Sequence, residues 1–208
     1  MTDTITYDDS SHAYTVNGKR VPSVTEITSV LTAGKYGEVN AAMLQQAQRR
    51  GTEVHELCEA IDCGIDPEEL EIAPELVGYV NAYLAFLRDW RPEWDYIEKM
   101  VWCSDFAGRA DRIGRINGKT AILDIKTTSS MDRLSKLALY FQLHGYDTAR
   151  ERMGEVPAYY RAGLQLRKDG KYTLHWSDDI YRKYLPGKNP GHIWSALFTA
   201  AKLTGGYD

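Results

Sequence analysis

The chain has 208 residues, of which 43% are hydrophobic and 26% are charged, and its formal net charge is −4. This composition is typical of a globular protein, and the negative charge argues against a general polyanion binder, whose affinity depends on clustered Lys and Arg. No apolar run approaches the roughly 20 residues that span a bilayer, and the polar, acidic N-terminus does not resemble a signal peptide. We therefore expect no membrane association.

The cysteine content indicates a reducing compartment. Cys58, Cys63 and Cys103 form an odd set without paired C-x-x-C spacing. Such a set is typical neither of a disulfide framework nor of a zinc ribbon. The expected location is therefore the cytoplasm.

Helices dominate the predicted N-terminal part of the chain. Residues 14–21 have the pattern of a β-hairpin that turns at an Asn-Gly pair, and Ser23 begins a capping-box pattern that predicts a helix start. Longer helices are predicted at about residues 39–61 and 73–90 from their helical spacing of apolar residues.

From residue 96 the hydrophobic period changes toward two, which is typical of β-strands. Three strands are predicted at residues 96–104, 106–116 and 120–128. They are followed by a helix at about residues 132–153, a strand pair at residues 158–177 that turns at Asp169-Gly170, and a helix at about residues 190–203. The order of elements predicts an α/β fold in which a mixed central β-sheet is flanked by α-helices.

Asn117-Gly118 joins the second and third of these strands. Asn-Gly is the strongest short-range signal for a two-residue type I′ turn, which fixes the register of the strands that it joins. Residues whose numbers sum to 235 should then pair, so Asp111 should lie opposite Asp124, roughly 5 Å away on the same face. Lys126, two residues beyond Asp124, should share that face.

Two carboxylates that face each other across a hairpin repel unless a positive charge lies between them. A divalent cation such as Mg²⁺ takes oxygen ligands and typically binds one or two carboxylates together with substrate phosphates. A neighbouring lysine could hold the attacking water or stabilise charge on the phosphate oxygens. The alternative is that both aspartates are exposed near the turn and pair with Arg109, Arg112 and Lys126.

Asp111, followed after the hairpin by Asp124-Ile125-Lys126, resembles the D…(D/E)-x-K signature of the PD-(D/E)XK nuclease superfamily. The stretches PSVTEI (residues 22–27) and YRAGLQLRKDGKYTLHW (residues 160–176) are similar to phage exonucleases related to mitochondrial genome maintenance exonuclease. Two further motifs are similar to those of the RecB-like branch of the superfamily. These motifs are Gly51-x-x-x-His55-x-x-x-Glu59 and Gln142-x-x-x-Tyr146. The resemblance covers about residues 14–202.

The resemblance implies a restriction-endonuclease-like core. We expect one domain over residues 1–208, in which the hairpin and helices of residues 1–92 pack on a catalytic core of about residues 93–208. The resemblance also implies a Mg²⁺ or Mn²⁺ ion held by four groups: His55, Asp111, Asp124 and the backbone carbonyl of Ile125. Lys126 would be the catalytic lysine, Gln142 and Tyr146 would lie beside the active site and the bound strand, and Glu59 would support the metal or a water.

Two other positions have simpler explanations. Glu98, on the strand before the hairpin, could project into the site, but a lone carboxylate is more often solvated, so we do not assign it to the catalytic set. Ser23 and Thr25 are sufficiently explained as helix-capping residues.

The implied activity is metal-dependent hydrolysis of linear single- or double-stranded DNA by an exonuclease, in phage-type recombination, replication or repair. The resemblance implies that the protein acts in the cytoplasm of a phage-infected bacterium. A phage recombinase or single-strand annealing protein is a possible partner, and the chain could form a homo-oligomer. Some relatives bind an iron–sulfur cluster through four cysteines, and we expect none here because the chain has three. Two alternatives stay open: a structure-selective or nicking endonuclease on the same fold, and a catalytically silent DNA- or protein-binding module.

Overall fold

The computed structural model describes residues 4–9, 11–35 and 41–207. The described chain begins with a three-stranded antiparallel sheet of β1 (Ile5–Asp8), β2 (Ala13–Val16) and β3 (Lys19–Val21). Asn17 and Gly18, between β2 and β3, have φ values of +52° and +78°, as a type I′ turn requires. The predicted hairpin is confirmed, whereas β1 was not predicted.

Three α-helices precede the second sheet. They are α1 (Val24–Ser29), α2 (Ala41–Asp62) and α3 (Val77–Trp90), with short 3₁₀ helices at Ala33–Lys35 and Pro67–Glu69. The capping box is confirmed, because Ser23 Oγ accepts from the Glu26 N–H at 3.0 Å and Glu26 Oε2 accepts from the Ser23 N–H at 2.7 Å. Helix α2 was predicted from residue 39, but residues 39 and 40 lie outside the described residues.

Helix α3 begins four residues later than predicted. The N–H of Leu76 donates to the carbonyl of Ala73 at 2.8 Å, so residues 73–76 form a turn instead of a helical start. Pro74 fits this turn because proline lacks the N–H that a continuing helix needs.

The central sheet has five strands in the order in which they follow one another in the chain. They are β4 (Glu93–Trp102), β5 (Ala107–Ile116), β6 (Lys119–Lys126), β7 (Tyr160–Leu166) and β8 (Tyr172–Trp176). Strands β6 and β7 are parallel and all other neighbours are antiparallel. Helix α4 (Arg133–Arg152) supplies the crossover that parallel neighbours require. The predicted α/β class, a mixed sheet flanked by helices, is confirmed.

The end of the chain differs from its prediction in two ways. Helix α5 (Ser177–Tyr184) was not predicted, and α6 (Pro190–Gly205) is slightly longer than expected. The N–H of Arg167 donates to the carbonyl of Lys171 at 3.0 Å, so the chain turns at residues 168–170 between β7 and β8. The predicted turn at Asp169-Gly170 is thus confirmed, with Gly170 at a φ of +78°.

Each face of the central sheet buries its own hydrophobic core. Ile122 packs in a cluster with residues of α1, α4 and α6, whereas Leu123 packs in a cluster with residues of α2 and α3. This division follows from the alternation of side chains along a strand. None of the described helices combines the length and the apolar character that crossing a bilayer requires.

A β-bulge in β4 sets the register of that strand against β5. The register shifts between Trp94 and Tyr96, and Gly114 lies opposite Trp94. A Cβ atom on Gly114 would lie 2.0 Å from the carbonyl oxygen of Glu93 and 2.7 Å from the Cα of Trp94. The bulge therefore requires glycine at position 114. It also sets which residues of β5 lie opposite the part of β4 that contains Glu98.

We expect Gly114→Ala to lower the free energy of unfolding by about 1–3 kcal/mol or more, because the added methyl group meets backbone atoms that belong to the strand ladder. Urea unfolding followed by circular dichroism measures this loss. Gly34→Ala is the control, because a Cβ atom there meets nothing within 4 Å. Unchanged stability of the Gly114 variant would show that the bulge tolerates a side chain.

Candidate metal centre

The central hairpin has the predicted register. Asn117 and Gly118 have φ values of +51° and +70°, and the residues of β5 and β6 that pair have numbers that sum to 235. The pairs are Ile116–Lys119, Arg115–Thr120, Gly114–Ala121, Ile113–Ile122 and Arg112–Leu123. A two-residue turn therefore positions both aspartates at the far end of the hairpin.

Strand pairing ends one position before Asp111 and Asp124. Asp111 Oδ2 instead accepts a hydrogen bond from the N–H of Ile125 at 2.6 Å. The confirmed register therefore brings Asp111 and Asp124 to the next position of the hairpin, where the carboxylate of Asp111 takes a backbone donor of the partner strand. This bond holds one carboxylate in place at the end of β6.

Both aspartates are buried. Asp111 is 7% exposed and Asp124 is 1% exposed. The alternative in which they are solvated carboxylates near the turn is therefore wrong. A buried carboxylate is costly unless it has hydrogen bonds or a positive partner, so each needs a structural reason to be there.

His55, Glu98 and Asp111 form a cluster in which one potential ligand atom of each lies within 4.8 Å of the others. His55 Nδ1 lies 3.7 Å from Asp111 Oδ2 and 3.9 Å from Glu98 Oε1. His55 Nε2 lies 3.0 Å from the carbonyl oxygen of Ile125, and it donates to that oxygen because a carbonyl only accepts. Helix α2 and three strands thus bring an imidazole, two carboxylates and a carbonyl together.

The electrostatics of the cluster favour positive charge. Burial alone would lower the pKa of His55, but the carboxylate of Asp111, the hydrogen bond with Glu98 and the more distant Asp124 together raise it to about 9. The imidazole is therefore held as a cation among the carboxylates. A site that stabilises a cation in this way has the charge needed to hold a metal ion.

Asp124 and Lys126 form a separate pair beside the cluster. Asp124 Oδ2 lies 2.7 Å from Lys126 Nζ. Burial raises the pKa of Asp124, and the ammonium group of Lys126 opposes that rise. Of the predicted ligands, the structure brings His55, Asp111 and the Ile125 carbonyl together, whereas Asp124 lies outside the three-residue cluster and contacts the lysine.

Glu98 is the site residue that the sequence interpretation missed. Its side chain is largely buried and lies between two guanidinium groups, with Oε2 3.1 Å from Arg109 Nε and Oε1 3.4 Å from Arg112 Nη1. The expectation of a solvated carboxylate is wrong. Glu98 has a φ of +51°, which breaks the strand alternation from which side-chain direction is predicted. No signal in the sequence marks this conformation.

Gln142 and Tyr146 lie one turn apart on α4, as predicted. Gln142 Nε2 donates to Tyr146 Oη at 2.8 Å, and the two residues are 8% and 3% exposed. Burial raises the pKa of Tyr146 well above its ordinary value, and the charges of Asp124 and Asp111 raise it further. The phenol therefore lies near both carboxylates in its neutral form.

Glu59 is exposed on α2, one turn after His55. It lines an open cavity of about 460 Å³ together with His55, Glu98 and Arg109. The structure thus places Glu59 at the mouth of the cluster, not in direct contact with its centre.

A fully buried guanidinium joins the elements of the cluster. Arg112 is 0% exposed, its Nε donates to Asp62 Oδ2, and its Nη1 donates to the carbonyl of Asp111 at 2.8 Å. The hydroxyl of Tyr83 donates to the same oxygen of Asp62. Because Asp62 ends the helix that carries His55, this ion pair fixes α2 against β5.

Comparisons with known proteins find similarity to a few solved structures at low identity. No protein-family model matches the chain, and no curated protein matches it. SSO0001, a solved structure, is 17% identical over 78% of this chain and 72% of its own, with a TM-score of 0.35. The alkaline exonuclease LHK-Exo from Laribacter hongkongensis is 10% identical over 88% of this chain and 89% of its own, with a TM-score of 0.39. Its complex with dAMP has the same coverage and TM-score at 12% identity.

We expect Arg112→Met to lower the free energy of unfolding by about 3–5 kcal/mol, because Asp62 would be left as a buried charge without its partner. Chemical denaturation measures this loss. Arg115→Met is the matched control on the same strand, since Arg115 is half-exposed and lies 3.9 Å from Asp95; its loss should stay below about 1 kcal/mol. Equal losses for the two variants would contradict the structural role of the buried ion pair.

Proposed function

We propose that the protein is a divalent-metal-dependent deoxyribonuclease that acts as an exonuclease on linear DNA. The observation that supports this proposal is the convergence of His55, Glu98 and Asp111 beside a lysine–carboxylate pair. Two carboxylates, an imidazole and an ammonium group at one end of a sheet are the groups that metal-assisted phosphodiester hydrolysis requires.

The donor set fits a hard divalent cation such as Mg²⁺ or Mn²⁺. Carboxylate and carbonyl oxygens suit these ions, and one imidazole nitrogen is compatible with Mn²⁺. We assign four groups to this ion: His55, which would release its Nδ1 proton as the ion binds, Glu98, Asp111 and the carbonyl of Ile125. Asp124 lies beside them and binds Lys126. Bound there, the cation would polarise the scissile phosphate and lower the pKa of an attacking water.

Lys126 is the residue that we assign to orienting the attacking water. Its Nζ is fixed by the buried carboxylate of Asp124 at 2.7 Å, and its side chain is about one-third exposed. An ammonium group has three donors, so it can bind Asp124 and also donate to a water or a phosphate oxygen. Gln142 lines the same cavity as Lys126, where its amide can hold a phosphate oxygen, and Tyr146 keeps that amide in place.

The sequence resemblance supports a more specific setting for this activity. We infer a role in phage-type recombination, replication or repair in the cytoplasm of an infected bacterium, with linear DNA as substrate. A phage recombinase or single-strand annealing protein is the partner that this role suggests, and a homo-oligomer is the assembly to test.

We expect the protein to degrade end-labelled linear duplex DNA in the presence of Mg²⁺ and to stop when a chelator is added. Lys126→Met should lower the rate by about 10²–10³-fold, because it removes a donor aimed at the reacting phosphate while keeping the aliphatic stem. Product release on denaturing gels gives the rate and the polarity of digestion.

Lys119→Met is the matched control, since Lys119 is exposed at the opposite end of β6 and should leave the rate unchanged. Closed circular DNA should resist digestion until it is nicked; cleavage of intact circles would identify an endonuclease instead. DNA binding without hydrolysis under any divalent cation would identify a silent binding module.

We expect Glu98→Gln to weaken Mn²⁺ binding by at least about tenfold, because an amide replaces a charged oxygen ligand. Electron paramagnetic resonance of free Mn²⁺ measures this affinity without DNA. Glu93→Gln, an exposed position on the same strand, is the control and should leave the affinity unchanged. Equal Mn²⁺ affinity of both variants would remove Glu98 from the site.

A further inference from the structure

We propose that a hydroxyl-lined cavity next to Lys126 binds the sugar-phosphate backbone of a single DNA strand. The proposal rests on the proposed nuclease function, and it adds which form of DNA the site accepts. We call this cavity the hydroxyl groove. It has a volume of about 560 Å³, and eight of its lining residues carry a hydroxyl group.

One wall of the hydroxyl groove comes from α1 and the turn that follows it. This wall contributes Thr25, Thr28, Ser29 and Thr32. Several of these hydroxyls donate to backbone carbonyls three residues earlier, as Thr32 does to Ser29 at 3.2 Å. Such bonds keep the side chains in place, and a hydroxyl can rotate to donate to a ligand instead.

The other wall comes from the connection between β6 and α4 and from the first turn of that helix. This wall contributes Thr127, Thr128, Ser130 and Ser135. Among the described residues that line the groove, Lys126 is the sole charged side chain. Hydroxyls and backbone amides are common partners of DNA phosphates, and they hold the backbone without reading sequence.

The neighbouring cavity, which contains His55 and Glu98, is acidic, whereas the hydroxyl groove has no carboxylate among the lining residues that the structure describes. The lining of the acidic cavity includes Glu56, Glu59 and Glu98, with Arg109 as a cation. A polyanionic strand approaching a chain of net charge −4 meets three carboxylates there and none in the hydroxyl groove. Electrostatic repulsion therefore favours the groove as the resting place of the strand outside the metal site.

The two cavities adjoin each other next to Lys126. A Cβ atom on Gly51, which lines the acidic cavity, would lie 3.7 Å from Thr127 Oγ1 in the groove. A backbone lying along the groove would thus pass Lys126 before it reaches His55 and Asp111. The volume of the groove is within the range of about 300–1,000 Å³ typical of small-ligand sites, which leaves room for a short stretch of one sugar-phosphate backbone.

The test measures binding of a fluorescent single-stranded oligothymidylate by metal-free protein in chelator, using fluorescence anisotropy. Thr32→Glu should weaken binding by about tenfold or more, because it places a negative charge in the groove. Ser130→Glu places the same charge on the opposite wall and should have the same effect. Thr199→Glu is the control, since Thr199 is an exposed helical threonine on α6 whose hydroxyl also donates to a backbone carbonyl. Thermal unfolding confirms that each variant is folded.

Loss of affinity in both groove variants, with the control like the wild type, supports the proposal. Unchanged affinity in both groove variants overturns it, as does tighter binding of a blunt duplex than of the single strand. Hydrolysis of linear DNA in Mg²⁺ is measured in parallel on the wild type. If hydrolysis occurs but the groove variants bind normally, the groove is wrong and the nuclease function stands; if neither binding nor hydrolysis occurs, both proposals are overturned.

Discussion

The buried guanidinium of Arg112 is the interaction on which the cluster depends. It binds the last residue of α2, the backbone carbonyl of Asp111 and the carboxylate of Glu98, so one side chain contacts three elements that supply candidate ligands. A buried cation is tolerated only when its donors find charged or polar partners. The bond from Arg112 Nε to Asp62 therefore keeps the helix of His55 at a fixed distance from β5. The positions of His55 and Asp111 in the cluster are therefore fixed by the contacts of Arg112, which is not itself a candidate ligand.

The two aspartates of the motif have different environments, and this difference suggests a division of roles. Asp111 accepts a hydrogen bond from the N–H of Ile125 and lies close to His55. It therefore belongs to the three-residue cluster that could bind a cation. Asp124 is more deeply buried, and its nearest charge is the ammonium group of Lys126. Asp124 therefore both lies next to the cluster and orients the lysine. A metal that drew on Asp124 would loosen its contact with Lys126, so the two roles are coupled through one carboxylate.

Local chemistry explains which parts of this arrangement could be predicted from the sequence. Asn117 and Gly118 both adopt a positive φ, as a two-residue turn requires. These two residues therefore determine the hairpin register and the positions of Asp111 and Asp124. The capping box at Ser23 and the amphipathic pattern of α4 act over one or two turns and were predicted for the same reason. The roles of Glu98 and Arg112 depend instead on a bulge in β4 and on a left-handed residue, which arise from contacts between strands. No local pattern encodes those contacts, and α5 was missed because eight residues give too short a period to recognise.

A net charge of −4 raises the question of how such a chain could hold DNA at all. Two arginines near the site are already engaged, Arg112 with Asp62 and Arg109 with Glu98, and further along α4 Arg150 pairs with Asp147. These pairs leave little net positive surface, so counterion release can supply only a small part of the affinity. Under the proposed function, affinity would come from hydrogen bonds to the DNA backbone and from a cation held at the cluster, both of which act over short distances. Short-range binding of this kind would suit an exonuclease, because a strand end can reach a cavity that the middle of a paired duplex cannot.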